Sequence, residues 1–420
     1  MKASISKSNI KGKVIAPPSK SYTIRGLVCA ALAKGKSEIV NPLGSDDTEA
    51  CQDVLGKIGV NVLHDKNSWK VSGGDFHQPE TDLFCRESAA TLRFMTAICS
   101  LVPGRSRLTS APSLSRRPVE PLIQALRQLG VDCRYQDKEA CIIVNGGRLK
   151  GGVTELPGNI SSQFVSALLF ISPFAENGVI IRLMTPLESK PFVLMTLECL
   201  KQFGIRVKLS EDLREFRITK QTYKPTKYRV EGDWSSASYL LALGALCGEI
   251  ELENLNLDSL QGDKAILGFL KEMGASVKTG KNSVVVKKSG LRAIKANLCD
   301  CIDLLPTMAV LAAAAEGISE FAGVERARLK ESDRPSAIKE GLTRMGIKVV
   351  EEKNRLVVVG GSAINTVIDS RGDHRIAMAF SLLGSYFGGI TINNAECVSK
   401  TYPEFWDILK SIGGEVKIDD

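Results

Sequence analysis

Two patterns of apolar and polar positions alternate along the chain. In the first, a leucine is followed by two mostly polar residues, an apolar residue and a glycine. It occurs as Leu55-Gly56-Lys57-Ile58-Gly59, Leu126-Arg127-Gln128-Leu129-Gly130, Leu200-Lys201-Gln202-Phe203-Gly204, Leu270-Lys271-Glu272-Met273-Gly274, Leu342-Thr343-Arg344-Met345-Gly346 and Leu409-Lys410-Ser411-Ile412-Gly413. The glycines recur about every 70 residues. Each copy predicts an amphipathic helix stopped by a C′ glycine and followed by a strand, as at Val60 to Leu63, Ile205 to Leu209 and Ile347 to Val350. Polar turns such as Asp65-Lys66-Asn67 come next.

The second pattern is a small-residue, apolar run entered through polar or charged residues, which predicts a buried helix. It appears as Ser19-Lys20-Ser21 into Leu32, Glu87-Ser88 into Cys99, Ser161-Ser162-Gln163 into Ile171, Asp233-Trp234-Ser235-Ser236 into Leu246, Asp303 into Ala315, and Asp373-His374-Arg375 into Leu383. Strands follow several of these, as at Gly178-Val179-Ile180-Ile181 and Gly389-Ile390-Thr391-Ile392. The two series interleave, so the chain reads as six copies of one α/β unit of βαβαββ type. Six copies divide naturally into two domains of three. The polar N-termini of the buried helices would then face a common cleft, and helix N-termini with added cations favour anionic ligands.

Length and composition fit this reading: 420 residues, 44% hydrophobic and 24% charged, are ordinary for a large two-domain globular chain. The first residues lack the apolar core of a secretory signal, and no apolar run reaches the ~18 residues of a membrane span, so a cytoplasmic protein with no membrane partner is expected. Most of the eleven cysteines, including Cys29, Cys99, Cys199 and Cys247, lie in apolar segments where a thiol packs as a small hydrophobe. Neither a Cys-x-x-Cys pair nor a cluster among His64, His77 and His374 suggests metal. A net charge of +8 favours anionic partners without choosing between small phosphorylated molecules and nucleic acid. Taken alone, Lys20 and Arg25 read as solvated cations on a capped core helix; recurrence of the same arrangement favours an anion site.

The motifs Pro18-Ser19-Lys20-Ser21-Tyr22-Thr23-Ile24-Arg25, Ser161-Ser162-Gln163-Phe164, Glu231-Gly232-Asp233-Trp234-Ser235-Ser236, Arg328-Leu329-Lys330-Glu331-Ser332-Asp333-Arg334, Asp373-His374-Arg375-Ile376-Ala377-Met378 and Ser399-Lys400-Thr401-Tyr402-Pro403 resemble, in that order, those of the 5-enolpyruvylshikimate-3-phosphate synthases. The resemblance spans essentially the whole chain. It implies a two-domain inverted barrel, each domain three repeats, with domains at 1–18 plus 231–420 and at 19–230. It implies transfer of the enolpyruvyl group of phosphoenolpyruvate to the 5-hydroxyl of shikimate 3-phosphate by addition and elimination, with release of phosphate and without metal or other cofactor. A monomer that binds no nucleic acid is expected.

The same resemblance assigns roles. Lys20, Ser21, Arg25, Ser161, Ser162, Gln163, Ser189, Asp303, Arg326 and Lys330 would hold shikimate 3-phosphate. Lys20, Ala89, Arg117, Gln163, Arg334, Arg375 and Lys400 would hold phosphoenolpyruvate, with Arg93 a further lining candidate. Asp303 would be the base for the 5-hydroxyl, Glu331 would exchange the proton at C3, and Lys20 would act on the bridging oxygen. Locally, Asp303 and the Ser161-Ser162 pair read equally well as N-caps, and Glu331 as an ordinary ion-pair partner.

Several positions depart from the family pattern. Ala89 stands where relatives have glycine, which implies weaker inhibition by glyphosate. Glu87 replaces asparagine, Phe192 replaces tyrosine, and Arg326 replaces asparagine. A sister transferase acting on a UDP-sugar normally has a reactive cysteine in a mobile loop, and Ser110-Ala111-Pro112-Ser113-Leu114-Ser115 has none. A basic RNA-end-binding protein on the same repeat would need stacking aromatics, and these make up only 6% of the chain.

Overall fold

The computed structural model describes residues 1–419. The chain divides into two compact units, one built from Met1–Pro17 together with Glu231 onward and the other from Pro18–Val230. Each contains three four-stranded sheets of one design, a parallel pair extended by two antiparallel strands. In the Pro18–Val230 unit, for example, Gly152–Leu156 runs parallel to Val179–Leu183, which pairs antiparallel with Glu215–Ile218 and through it with Lys208–Leu209. The other unit completes two of its sheets with N-terminal strands. Lys2–Ile5 lies between Ile390–Asn393 and Val416–Asp419, and Ile10–Ile15 runs parallel to Gly248–Glu253.

Inside each trio of sheets lie three helices that are apolar on nearly every face. These are Lys20–Leu32, Ala89–Ile98 and Ser162–Ile171 in one unit, and Trp234–Cys247, Leu305–Ala314 and His374–Phe387 in the other. A helix buried all round cannot show a polar stripe, which explains why these segments read as continuous small and apolar residues. The amphipathic set, Asp46–Gly56, Glu120–Gln128, Lys190–Gln202, Ile266–Glu272, Arg334–Arg344 and Phe405–Ser411, packs one face only.

The six glycines of the first pattern share one geometry. Gly59, Gly130, Gly204, Gly274, Gly346 and Gly413 all have φ between +84° and +106°. In every copy the residue after the glycine donates its N–H to the carbonyl of the leucine five back, as in Ile205 to Leu200 at 2.8 Å and Ile347 to Leu342 at 2.9 Å. This is the 6→1 bond of a Schellman stop, and it needs a left-handed residue at C′. It also corrects the expected strands. The N–H groups of Val60, Ile205 and Ile347 close their helices, so the ladders begin later, at Asn61–Asp65, Lys208–Leu209 and Val349–Glu351. At Ile205 to Leu209 the strand shrinks further because the Arg206 N–H bonds the Gln221 side chain at 2.8 Å.

Two of the buried helices also differ from expectation. The segment from Asp303 begins with a 3-10 turn, Ile302–Leu304, and becomes α-helical at Leu305–Ala314, with Pro306 in its first turn. The helix entered at Asp373 runs to Phe387 rather than Leu383.

Candidate active site

In the unit containing residues 231–419, the expected site residues form one buried ionic network. Arg334 opens the Arg334–Arg344 helix, whose N-cap Asp333 accepts the Ser336 N–H at 3.1 Å. The Arg334 side chain is 1% exposed and all three guanidinium nitrogens end on carboxylates. Nε donates to Asp373 Oδ2 at 2.9 Å, Nη1 to Asp303 Oδ1 at 2.7 Å and Nη2 to Glu331 Oε2 at 2.7 Å. Burial on this scale is tolerable only because each charge is paired and hydrogen-bonded.

Asp303 draws two further cations, Lys330 Nζ at 3.1 Å and Arg375 Nη2 at 3.2 Å. It caps no helix: the N-cap of Leu305–Ala314 is Leu304, and the Asp303 carboxylate is committed to the cations. Burial alone would raise its pKa, but Arg375, Lys330 and Arg334 outweigh that and hold the carboxyl well below the usual range. Burial, only partly offset by Asp303, lowers the Lys330 ammonium, and the charges of Arg334 and Arg326 add to that. Arg326 itself donates to the Cys299 carbonyl at 2.7 Å. Glu331 receives Lys400 at 3.7 Å through its other oxygen. Asp373 ties the network to the fold: its Oδ1 accepts the Arg375 backbone N–H at 2.9 Å, capping the His374–Phe387 helix, while Ser332 donates to its Oδ2 at 3.0 Å.

The Pro18–Val230 unit carries the remaining expected residues. Ser19 caps the Lys20–Leu32 helix, and Lys20, its first residue, pairs with the buried Asp47 at 2.9 Å. Arg25 is buried with its donors spent on the Ser21 carbonyl (2.9 Å), the Phe192 carbonyl (3.0 Å) and the Thr196 hydroxyl (2.9 Å). Its guanidinium also lies over the Phe94 and Phe192 rings at 5.6 and 5.8 Å. Burial lowers its pKa, though a guanidinium so placed stays charged.

Ser161 caps the Ser162–Ile171 helix by accepting the Gln163 N–H at 3.3 Å, and Ser162 is buried in its first turn. Gln163 Oε1 takes a bond from Arg93 Nη1 at 2.7 Å, while Arg93 Nη2 donates to the Pro118 carbonyl at 3.2 Å. Arg93 thereby links the Gln163 helix to the segment bearing Arg117. Ser189 is buried at φ +52°, a conformation that costs a non-glycine residue strain and that clusters at functional sites. Ala89 is the buried first residue of Ala89–Ile98. Glu87, whose presence the family pattern does not explain, accepts the Ser113 hydroxyl.

Two of the carboxylates that engage these cations, Asp47 and Asp373, were not given a role from sequence. Asp47 sits in an acidic first turn that reads as a macrodipole feature, and Asp373 reads as a cap. Among the described residues no group of histidine, cysteine and acidic side chains suits a metal ion. Burial pushes the thiols of Cys51 and Cys99, among others, up to about 12, which makes them poor nucleophiles.

This architecture is that of the enolpyruvyl transferases. The fold matches a solved EPSP synthase from Acinetobacter baumannii with a TM-score of 0.83 and 26% identity over 99% of this chain and all of that one. It also matches the enolpyruvyl transferase NikO from Streptomyces tendae, with a TM-score of 0.81 over 99% and 98% of the two chains, at 18% identity, a likeness of fold alone. The family model of EPSP synthase (3-phosphoshikimate 1-carboxyvinyltransferase) matches residues 5–409. Curated relatives of that name are 49% identical in Dehalococcoides mccartyi, over 99% of both chains, and 42% identical in Methanothermobacter thermautotrophicus, over 96% of both. The chain belongs to the EPSP synthase family and is an enzyme.

Proposed function

We propose that the enzyme transfers the enolpyruvyl group of phosphoenolpyruvate to the 5-hydroxyl of shikimate 3-phosphate, a step of the shikimate pathway towards aromatic amino acids. The observation that carries this reading is the buried network in which one guanidinium, Arg334, bridges Asp303 and Glu331. Two carboxylates held one arginine apart suit a reaction needing two separate proton transfers. The cations around them suit substrates rich in phosphate and carboxylate.

Asp303 takes the proton of the 5-hydroxyl as its oxygen bonds to C2 of phosphoenolpyruvate, and C3 gains a proton from Glu331 to become a methyl group. In the second half C3 returns that proton through Glu331 as the C2–O bond to phosphate breaks, with Lys20 protonating the leaving oxygen. Carbon–oxygen bonds are exchanged without net oxidation. Arg117, Gln163, Arg334, Arg375, Lys400 and Lys20, beside Ala89, receive phosphoenolpyruvate. Lys20, Ser21, Arg25, Ser161, Ser162, Gln163, Ser189, Arg326 and Lys330 receive shikimate 3-phosphate, with Asp303 at its 5-hydroxyl. Each set draws residues from both domains, 1–18 plus 231–420 and 19–230, and the enzyme works as a cytoplasmic monomer. None of the described helices is long and apolar enough to cross a membrane.

Phosphate release from phosphoenolpyruvate, measured with shikimate 3-phosphate or with a UDP-sugar as acceptor, tests the reading. Release with the first acceptor alone is expected. Release only with the UDP-sugar would overturn it.

A further inference from the structure

One buried carboxylate beside this network has no part in the roles given above. Asp263 lies in the short turn Gly262–Ala265 and is 3% exposed. Its Oδ2 accepts the Ser235 hydroxyl, while its Oδ1 accepts no hydrogen bond from any described residue. A buried carboxylate oxygen without a donor is costly and calls for an explanation. The Asp263 charge is felt by Arg375, which is drawn by both Asp303 and Asp263 but hydrogen-bonds only the first, with its other terminal nitrogen on the Tyr239 hydroxyl at 3.4 Å.

A carboxylate engaged by three cations is a poor proton acceptor, yet the proposed chemistry asks Asp303 to accept one. Resting on that chemistry, we propose that Asp263 is a positioning residue for Arg375, taking over its guanidinium when Asp303 releases it to act as base. The exchange keeps the Arg375 charge compensated in a low-dielectric interior and removes one of the three cations depressing Asp303. It also supplies Asp263 Oδ1 with the donor it lacks.

The role requires Asp263 to be ionised. Burial, followed by repulsion from Asp303, pushes its carboxyl up to about 6, opposed by Arg375 and Ser235 and reinforced by Asp233. Asp233 and Ser235 face it from the start of the Trp234–Cys247 helix, Asp303 and Cys301 from the Ile302–Leu304 turn, and Arg375 from the His374–Phe387 helix. On its own turn, Lys264 is engaged by the Leu257 carbonyl at 2.9 Å. The titratable residues of the adjoining Ile266–Glu272 helix, Lys271 and Glu272, are in its last turn. Asp263 therefore loses its charge, and its hold on Arg375, as the pH falls through that value.

The test is the pH profile of kcat for the full-length enzyme with shikimate 3-phosphate and phosphoenolpyruvate, in wild type, Asp263→Asn and Ser235→Ala. Wild type is expected to lose turnover below about pH 6. Asp263→Asn should lose that acid limb and turn over roughly tenfold more slowly at pH 7.5, with KM values within about twofold. Its Tm should be equal or higher, since a costly buried charge is gone, whereas a merely structural residue would lower Tm and leave the limb in place. Ser235→Ala withdraws a bond that favours the carboxylate and should move the limb to higher pH. It also decides the matter if Asp263→Asn fails to fold. An acid limb unmoved in both variants, or in Ser235→Ala alone if Asp263→Asn does not fold, overturns the assignment. Absence of phosphate release by wild type would instead overturn the function on which it rests.

Discussion

Arg334 Nη1 donates to Asp303 Oδ1 at 2.7 Å, and the same guanidinium bonds Glu331 and Asp373 through its remaining nitrogens. The guanidinium is fully buried, so these pairs are screened much less than exposed ones. One arginine thus holds both carboxylates assigned to proton transfer in place.

Replacing Arg334 by alanine should be severe. It takes the shared partner from the buried Asp303 and Asp373 and from the part-buried Glu331, and loss of one partner of a buried ion pair costs about 3–5 kcal/mol. Urea denaturation should show that loss as a lowered midpoint. Arg334→Lys should be intermediate, because a single ammonium cannot span Asp303, Glu331 and Asp373.

Asp303→Asn keeps the side-chain shape and removes the base. The expected result is a fall of about 10²- to 10⁴-fold in kcat with a much smaller change in the KM for phosphoenolpyruvate, read from steady-state phosphate release. A raised KM at unchanged kcat would make Asp303 a binding group only.

The depressed Asp303 carboxyl also predicts the pH dependence of stability. Its folded pKa lies below the unfolded value of about 3.9, so its contribution is complete well above that value and drains away as the pH falls through it towards the folded pKa. Tm measured from pH 6 down to 3 should fall more steeply for wild type than for Asp303→Asn.

Gly346 offers a clean test of the helix stops. Its φ is +85°, and a Cβ built there meets no atom within 4 Å, so alanine would add backbone strain without a clash. Gly346→Ala should cost about 1–2 kcal/mol in chemical denaturation and leave turnover unchanged. Gly413→Ala should cost more, because its Cβ would lie 2.6 Å from the Asn9 carbonyl oxygen.

Ala89 is buried at the start of its helix, and its methyl group takes up space next to the proposed phosphoenolpyruvate site. Ala89→Gly should increase inhibition by glyphosate, read as a lower inhibitor concentration for half-maximal rate. Unchanged potency would show that this methyl group does not limit the inhibitor.

The sixfold unit was legible because each copy repeats a local instruction, a leucine whose carbonyl closes the helix and a glycine that turns the chain. Strand starts were less legible, because the N–H after each glycine belongs to the helix stop, a bond that hydropathy does not mark. Cations in motifs stood out, as did Asp303 and Glu331, while two other carboxylates that hold them did not. Asp47 lies 27 residues from Lys20, and Asp373 lies 39 from Arg334, each resembling a common helix-start residue. Asp263 was least visible of all. Its character comes from burial beside Asp303 and Arg375, which only the folded chain brings together.

The role proposed for the gathered cations and paired carboxylates is enolpyruvyl transfer between two phosphorylated molecules. The decisive measurement follows the ³¹P resonances of phosphoenolpyruvate and shikimate 3-phosphate incubated with the enzyme. The phosphoenolpyruvate signal is expected to convert to inorganic phosphate, with the phosphate on the shikimate ring retained on a new enol ether. Conversion without shikimate 3-phosphate, or loss of the phosphate from shikimate, would contradict it.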